Sequence, residues 1–190
     1  MTGIDSTGIR PHSVRRFSKA ERLVHRTTAI LMLLCVTTAA FLYIGPLAQL
    51  VGQRNLVATV HEFSGVLLPV PVLLGLFSPA FRADLGSLNR SSGKFNVGQQ
   101  LYAGWIAGTV LVMLCTGLLM WFIHLLPAIS RTSAIFVHDV LAWAIVAVLL
   151  GHIRKASEDP EARRGMRTGY VDRSWADRQH PRWLTGPPNR

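Results

Sequence analysis

Apolar residues run almost without interruption through four stretches of the chain, residues 24–44, 58–78, 101–123 and 133–153, and polar residues gather between and beyond them. A helix needs about 20 mostly apolar residues to cross the hydrocarbon core of a bilayer, so each stretch predicts a membrane-spanning helix. The second is the least regular, with His61 and Glu62 near its start and Pro69 and Pro71 in its middle. Proline removes a backbone donor and clashes with the turn before it, so a kink is predicted there, with neighbouring helices satisfying the freed carbonyls. The links, residues 45–57, 79–100 and 124–132, are short. Short links set sequential helices side by side and antiparallel. The predicted fold class is an all-α membrane protein, an up-and-down four-helix transmembrane bundle. Residues 1–23 form an N-terminal segment, residues 24–153 the four-helix domain, and residues 154–190 a basic tail. Trp175 and Trp183 in that tail suit either the membrane interface or a docking partner. No internal repeat or low-complexity segment is present.

Composition strengthens the membrane reading. Hydrophobic residues make up 49% of the 190 positions and charged residues only 16%, which leaves the long stretches nearly free of charge. The net charge of +10 is compatible with nucleic acid or with an anionic bilayer surface. The basic residues flank the apolar runs and form no separate basic domain, so the expectation is a lipid bilayer and no nucleic acid. Of the 20 lysines and arginines, 18 lie before the first stretch or at its start, in the second link, or after the fourth stretch. The first and third links hold only Arg54 and Arg131. Loops rich in lysine and arginine stay on the cytoplasmic side, so both termini are expected there. The run Arg15-Arg16-Phe17-Ser18-Lys19 has a faint twin-arginine look, but the apolar run after it is long enough to span and reads as a helix. Cys35 and Cys115 both fall inside apolar stretches, with no Cys-x-x-Cys, and read as plain membrane-buried thiols.

Four histidines change the picture further. An ionisable side chain inside a membrane span is rare, and its default reading is functional. His25 and His152 lie at the cytoplasmic ends of the first and fourth spans; His61 and His138 lie at or near the outer ends of the second and fourth. Depth therefore pairs His25 with His152 and His61 with His138. Their 14-residue separation on the fourth span turns His138 and His152 to within about 40° of one face and sets them ~21 Å apart along the axis. Two haems stacked across one bilayer need that spacing. Two neutral imidazoles per iron give a six-coordinate haem suited to electron transfer. Gly65 and Gly151 would let a flat macrocycle approach the backbone. The competing readings are a satisfied buried histidine and a proton pathway. A proton pathway wants acidic residues at several depths, and only Glu62 and Asp139, both beside outer histidines, qualify. His124 reads as an interfacial residue, and His12 and His180 as solvated.

Several motifs point to a family. Lys94-Phe95-Asn96-Val97-Gly98-Gln99-Gln100 opens the third span, which continues through Thr116-Gly117-Leu118 to Met120-Trp121. Arg16-Phe17 with Glu21-Arg22 and His25, the run His61-Glu62-Phe63-Ser64-Gly65, and a tail with Gly165-Met166, Gly169, Val171, Trp175-Ala176 and His180-Pro181 accompany it. Together they resemble the cytochrome b (gamma) subunit of membrane-bound formate dehydrogenases, within the four-helix di-haem cytochrome b family, over nearly the whole chain. The resemblance implies two haem b groups held by His25 with His152 (inner) and His61 with His138 (outer). It also implies a cytoplasmic-side quinone site at Asn96, Gly98 and Gln99, near the inner haem, taking menaquinone or ubiquinone. The partners it implies are an iron–sulfur beta subunit and a molybdenum or tungsten catalytic alpha subunit, in the bacterial inner membrane. The chain would not act on formate by itself; it would pass electrons from the iron–sulfur subunit through the haems to quinone. Arg26 stands where the family usually has an aromatic residue, and Gln100 where a lysine is common. Read from the residues alone, Asn96 would cap the third helix and Gly98 would ease the turn. A cytochrome b subunit of a nickel–iron hydrogenase or related oxidoreductase, a stand-alone cytochrome b, and a haem-free membrane anchor are the alternatives.

Overall fold

The structure is a computed structural model and describes residues 12–88, 93–122, 124 and 131–185. Residues 1–11 of the N-terminal segment, the expected end of the third span at residue 123, and most of the third link lie outside the described residues. The elements in chain order are β1 (Ser13–Arg15), α1 (Lys19–Tyr43), α2 (Gly45–Val51), α3 (Arg54–Leu67), α4 (Val70–Gly75), α5 (Pro79–Leu88), α6 (Val97–Trp121), α7 (Arg131–Glu158), α8 (Pro160–Thr168), β2 (Tyr170–Asp172), α9 (Arg173–Gln179) and α10 (Pro181–Thr185). Four helical segments are long and apolar enough to cross a membrane: Lys19–Tyr43, Arg54–Gly75, Val97–Trp121 and Arg131–Glu158.

The spanning helices begin earlier than the apolar pattern does, and at α1 capping explains it. Ser18 and Glu21 form a reciprocal box at the start of α1: the Glu21 N–H donates to Ser18 Oγ at 3.0 Å, and the Ser18 N–H donates to Glu21 Oε2 at 2.6 Å. Two backbone donors that the first turn leaves without partners are thereby satisfied, and helix can form through polar residues. The second span breaks where its prolines lie. α3 ends at Leu67, the Leu68 N–H closes a tighter turn onto the Gly65 carbonyl at 3.3 Å, and α4 resumes at Val70. The first two links also hold helix. α2 carries Pro46 in its first turn and stops at Gly52, whose φ of 64° suits glycine.

The chain divides into two compact units. One comprises Val24–Leu74 and Gly104–His152 and contains most of the four spans. Its core is Met32, Leu68 and Ile145, packed with Trp105, Val110 and Met113, so every span contributes. Large apolar side chains such as Leu73, Leu111, Phe136 and Leu150 face outward. An apolar exterior on all four spans is the surface a bilayer would cover.

The other unit comprises Met1–Leu23, Gly75–Ala103 and Ile153–Arg190. Here β1 and β2 pair antiparallel, with Ser13 opposite Asp172, Val14 opposite Val171 and Arg15 opposite Tyr170. Val171 and Ala176 are fully buried, with Trp175 beside them. Arg16 is 3% exposed; its guanidinium lies over the Trp175 ring at 4.7 Å and the Phe17 ring at 5.2 Å, and donates to the Lys94 carbonyl at 3.3 Å. Burial pushes the Arg16 pKa down to about 10, so it stays charged at neutral pH. The tail is therefore folded, and two sequence expectations are corrected. Trp175 packs against the Arg16 guanidinium, a cation–π arrangement, instead of lying free for an interface. His180 is buried where a solvated side chain was expected: its Nδ1 lies 3.1 Å from the Gly93 carbonyl and its ring 5.4 Å from that of Trp175.

Candidate cofactor site

The four span histidines belong to the apolar unit. His25 on α1 and His152 on α7 have ring centres 6.3 Å apart, with planes inclined at 46°. His61 on α3 and His138 on α7 also have ring centres 6.3 Å apart, inclined at 70°. A metal–imidazole bond is about 2.0–2.1 Å and the ring centre lies roughly 1.1 Å beyond the nitrogen, so two imidazoles on one metal stand about 6.3 Å apart. Both pairs therefore have the separation expected of two imidazoles facing each other across one metal ion. α7 is unbroken from Arg131 to Glu158, so His138 and His152 sit ~21 Å apart on one rigid helix.

Among the described residues no group of three or more His, Cys, Asp or Glu side chains could hold a metal ion. A closed zinc site needs four protein ligands. Two imidazoles and no third ligand instead suit a metal whose remaining positions are filled by a macrocycle. The glycines agree with that. A Cβ placed on Gly65, Gly104, Gly108 or Gly151 would meet no neighbouring atom within 4 Å, so the backbone is open to a flat group there.

Two threonines complete the surroundings of His61 and His138. Thr38 Oγ1 on α1 lies 2.9 Å from His61 Nδ1, and Thr116 Oγ1 on α6 lies 2.9 Å from His138 Nδ1. In the sequence Thr38 carries no mark of function, and Thr116 stands only within the Thr116-Gly117-Leu118 motif. A signal was available in principle, because each is a hydroxyl within an apolar span.

Asn96, Gly98 and Gln99 lie in the other unit, at the start of α6, and all three are exposed. Asn96 and Gln99 form a second capping box: the Gln99 N–H donates to Asn96 Oδ1 at 2.8 Å, and the Asn96 N–H donates to Gln99 Oε1 at 3.0 Å. Asn96 thus caps the third span. A Cβ on Gly98 would stand 3.4 Å from Asn96 Oδ1, a tight approach that the glycine avoids. Both side-chain oxygens are engaged, and each amide keeps an NH2 group able to donate. The buried Lys94 ammonium beside this turn is paired with Glu21 at 3.1 Å and with Asp84. His12 and His124 are exposed.

Apolar spans enclosing paired imidazoles define a multi-pass membrane cytochrome. The chain belongs to the prokaryotic cytochrome b561 family, whose profile matches residues 16–156. It is accordingly a multi-pass bacterial membrane protein with haem b as its cofactor. The Escherichia coli K12 protein named formate dehydrogenase, cytochrome b556(fdo) subunit, is 27% identical over 200 residues, covering 92% of this chain and 93% of that protein. A Haemophilus influenzae formate dehydrogenase cytochrome b556 subunit is 32% identical over 95 residues, covering 48% of this chain and 40% of its own. The nitrate-inducible cytochrome b556(Fdn) subunit of Escherichia coli K12 is 30% identical over 94 residues, covering 48% and 43%.

Proposed function

We propose that this chain is the membrane-anchoring, electron-transfer subunit of a formate dehydrogenase complex, delivering electrons from an iron–sulfur partner to quinone. The observation that carries the reading is the pair of imidazole couples, each with ring centres at 6.3 Å, in a bundle of four apolar spans. The formate dehydrogenase relatives, one of them aligned along nearly the full length of both chains, supply the identity of the complex.

His61 and His138 would hold one haem b, and His25 and His152 the second. Each haem, when bound, supplies a one-electron redox centre. The residues do the rest. Two imidazoles from each pair would satisfy the iron of a bound haem, and such a centre would serve electron transfer and not oxygen chemistry. α7 fixes the distance between the pairs, and the apolar side chains of the bundle exclude water. Asn96 and Gln99 donate amide hydrogens to the quinone oxygens, and Gly98 lets the ring approach the turn. Menaquinone and ubiquinone present the same carbonyl oxygens to these donors. The partners are an iron–sulfur beta subunit and a molybdenum or tungsten alpha subunit that oxidises formate. With 18 of its 20 lysines and arginines on one side of the predicted topology, the chain sits in the inner membrane with both termini cytoplasmic.

The test is haem content and the reduced-minus-oxidised spectrum of the complex purified by a tag on this chain. Wild type is expected to hold two b haems per chain, reducible by formate, and His138→Ala one. A wild-type complex without haem, or His138→Ala retaining both, would overturn the assignment.

A further inference from the structure

We propose that Thr38 and Thr116 are positioning residues that lock His61 and His138 in the tautomer presenting a bare Nε2, and thereby set the redox potential of the haem these histidines share. The inference rests on the ligand reading above and goes beyond it.

Each hydroxyl hydrogen has a carbonyl of its own helix to go to. Thr38 Oγ1 lies 2.6 Å from the Leu34 carbonyl and 3.1 Å from that of Cys35; Thr116 Oγ1 lies 2.8 Å from the Val112 carbonyl and 3.2 Å from that of Met113. A carbonyl oxygen only accepts, and a hydroxyl has one hydrogen to give. Each threonine therefore donates backward into its own helix, the usual bond of a buried threonine in a helix. What Oγ1 offers the imidazole 2.9 Å away is a lone pair, so His61 and His138 both donate from Nδ1. For His61 the conclusion has independent support, because the Cys35 carbonyl lies 3.2 Å from the same Nδ1 and can only accept. A neutral imidazole with its hydrogen on Nδ1 has Nε2 free to bind a metal. The same device appears twice, from two different helices, on the two members of one pair. Both threonines are buried, so water does not compete for these bonds.

The chemical consequence follows from the strength of the acceptor. An acceptor on Nδ1–H raises the basicity of the metal-binding nitrogen, and the partner fixes the ring's orientation. A more basic ligand favours the oxidised iron and lowers the potential; a neutral alcohol does this less than a carboxylate. The two hydroxyls therefore hold the His61/His138 haem at a potential between that of unpartnered imidazoles and that of carboxylate-bound ones. Thr116 is expected to matter more than Thr38, because the Cys35 carbonyl still accepts from His61 when Thr38 is replaced.

The experiment is a redox titration of the purified complex, followed in the b-haem absorption band and by the low-spin haem EPR signals. Variants are Thr116→Val, which keeps the shape and removes the hydroxyl, Thr116→Ser, which restores it, and Thr38→Val. Thr116→Val is expected to keep both haems and to raise the midpoint of one with the other unmoved. Thr116→Ser should return it to the wild-type value, and Thr38→Val should shift it less. A Thr116→Val variant that loses one haem while Thr116→Ser keeps both also supports the proposal, since the hydroxyl is then needed to place the ligand. Two haems with unshifted midpoints and unchanged EPR signals in Thr116→Val would overturn it, as would equal loss in the valine and serine variants. His61→Ala separates the two levels: if it retains both haems the ligand assignment itself fails, whatever the threonines do.

Discussion

Lys94 is the side chain whose surroundings are least like those its sequence context suggests. Counted among the topology-setting cations, it is in fact buried, with its ammonium between the carboxylates of Glu21 and Asp84 and over the rings of Phe17 and Phe95 at 5.5 and 5.2 Å. Removing one member of a buried ion cluster leaves the others uncompensated, which is far more costly than losing an exposed pair. Lys94→Met is expected to destabilise the complex by about 3 kcal/mol, read as a lowered melting temperature in detergent. Replacing Lys155, whose bond to Glu158 is exposed, should leave the melt unchanged. His180 makes a second residue-level case. Desolvation, and then the positive charge of Arg16, push its pKa down to about 4, against the opposing pull of the Gly93 carbonyl and Asp159. The folded state then binds fewer protons than the unfolded chain between about pH 6.5 and pH 4. The polar unit is expected to be fully stable above pH 6.5 and to loosen as pH falls toward 4. Hydrogen exchange over residues 170–183 checks it, and His180→Phe should flatten the pH dependence. Neither Lys94 nor His180 was legible, because a charge or an imidazole in a polar stretch carries no mark of burial.

The elements divide by how local their causes are. The spans were legible because length and apolarity are properties of a single segment, and the break near Pro69 because proline acts on its own turn. The span starts were less so: Ser18 with Glu21 and Asn96 with Gln99 extend α1 and α6 beyond their apolar residues. The ribbon of β1 and β2 was invisible. Each strand has three residues, too few for a period, and Ser13 finds its partner Asp172 across nearly the whole chain. The histidine quartet stood out because apolar spans rarely hold imidazole. Thr38 and Thr116 did not, since a threonine sits at little cost on any span by bonding its own helix. Glycines mark where the polar unit's elements meet. Gly93 has φ of 81°, and a Cβ there would lie 2.5 Å from the Trp183 backbone nitrogen. Gly93→Ala therefore meets both backbone strain and an immovable neighbour. It is expected to cost more than about 2 kcal/mol and to expose the segment around Trp183 to limited proteolysis, while the spectrum of any bound haem stays that of wild type.

At the scale of the whole molecule, the chain combines a bundle that shows apolar side chains to its surroundings with a polar unit assembled from three separated stretches. Outward-facing leucines and phenylalanines would be a hazard in water and are an asset in lipid. The four spans lie largely in the apolar unit, and the family to which the chain belongs brings haem b to it. The order of the histidines along the chain carries one more consequence. His25 and His61 lie on the first two spans, and the partner of each, His152 and His138, lies on the last. During synthesis the first three spans enter the bilayer holding only single imidazoles. Neither couple can form without α7. A product truncated before α7 would lack one ring of each couple and is expected, if the couples hold haem, to be isolated without it, as its absorption spectrum would show.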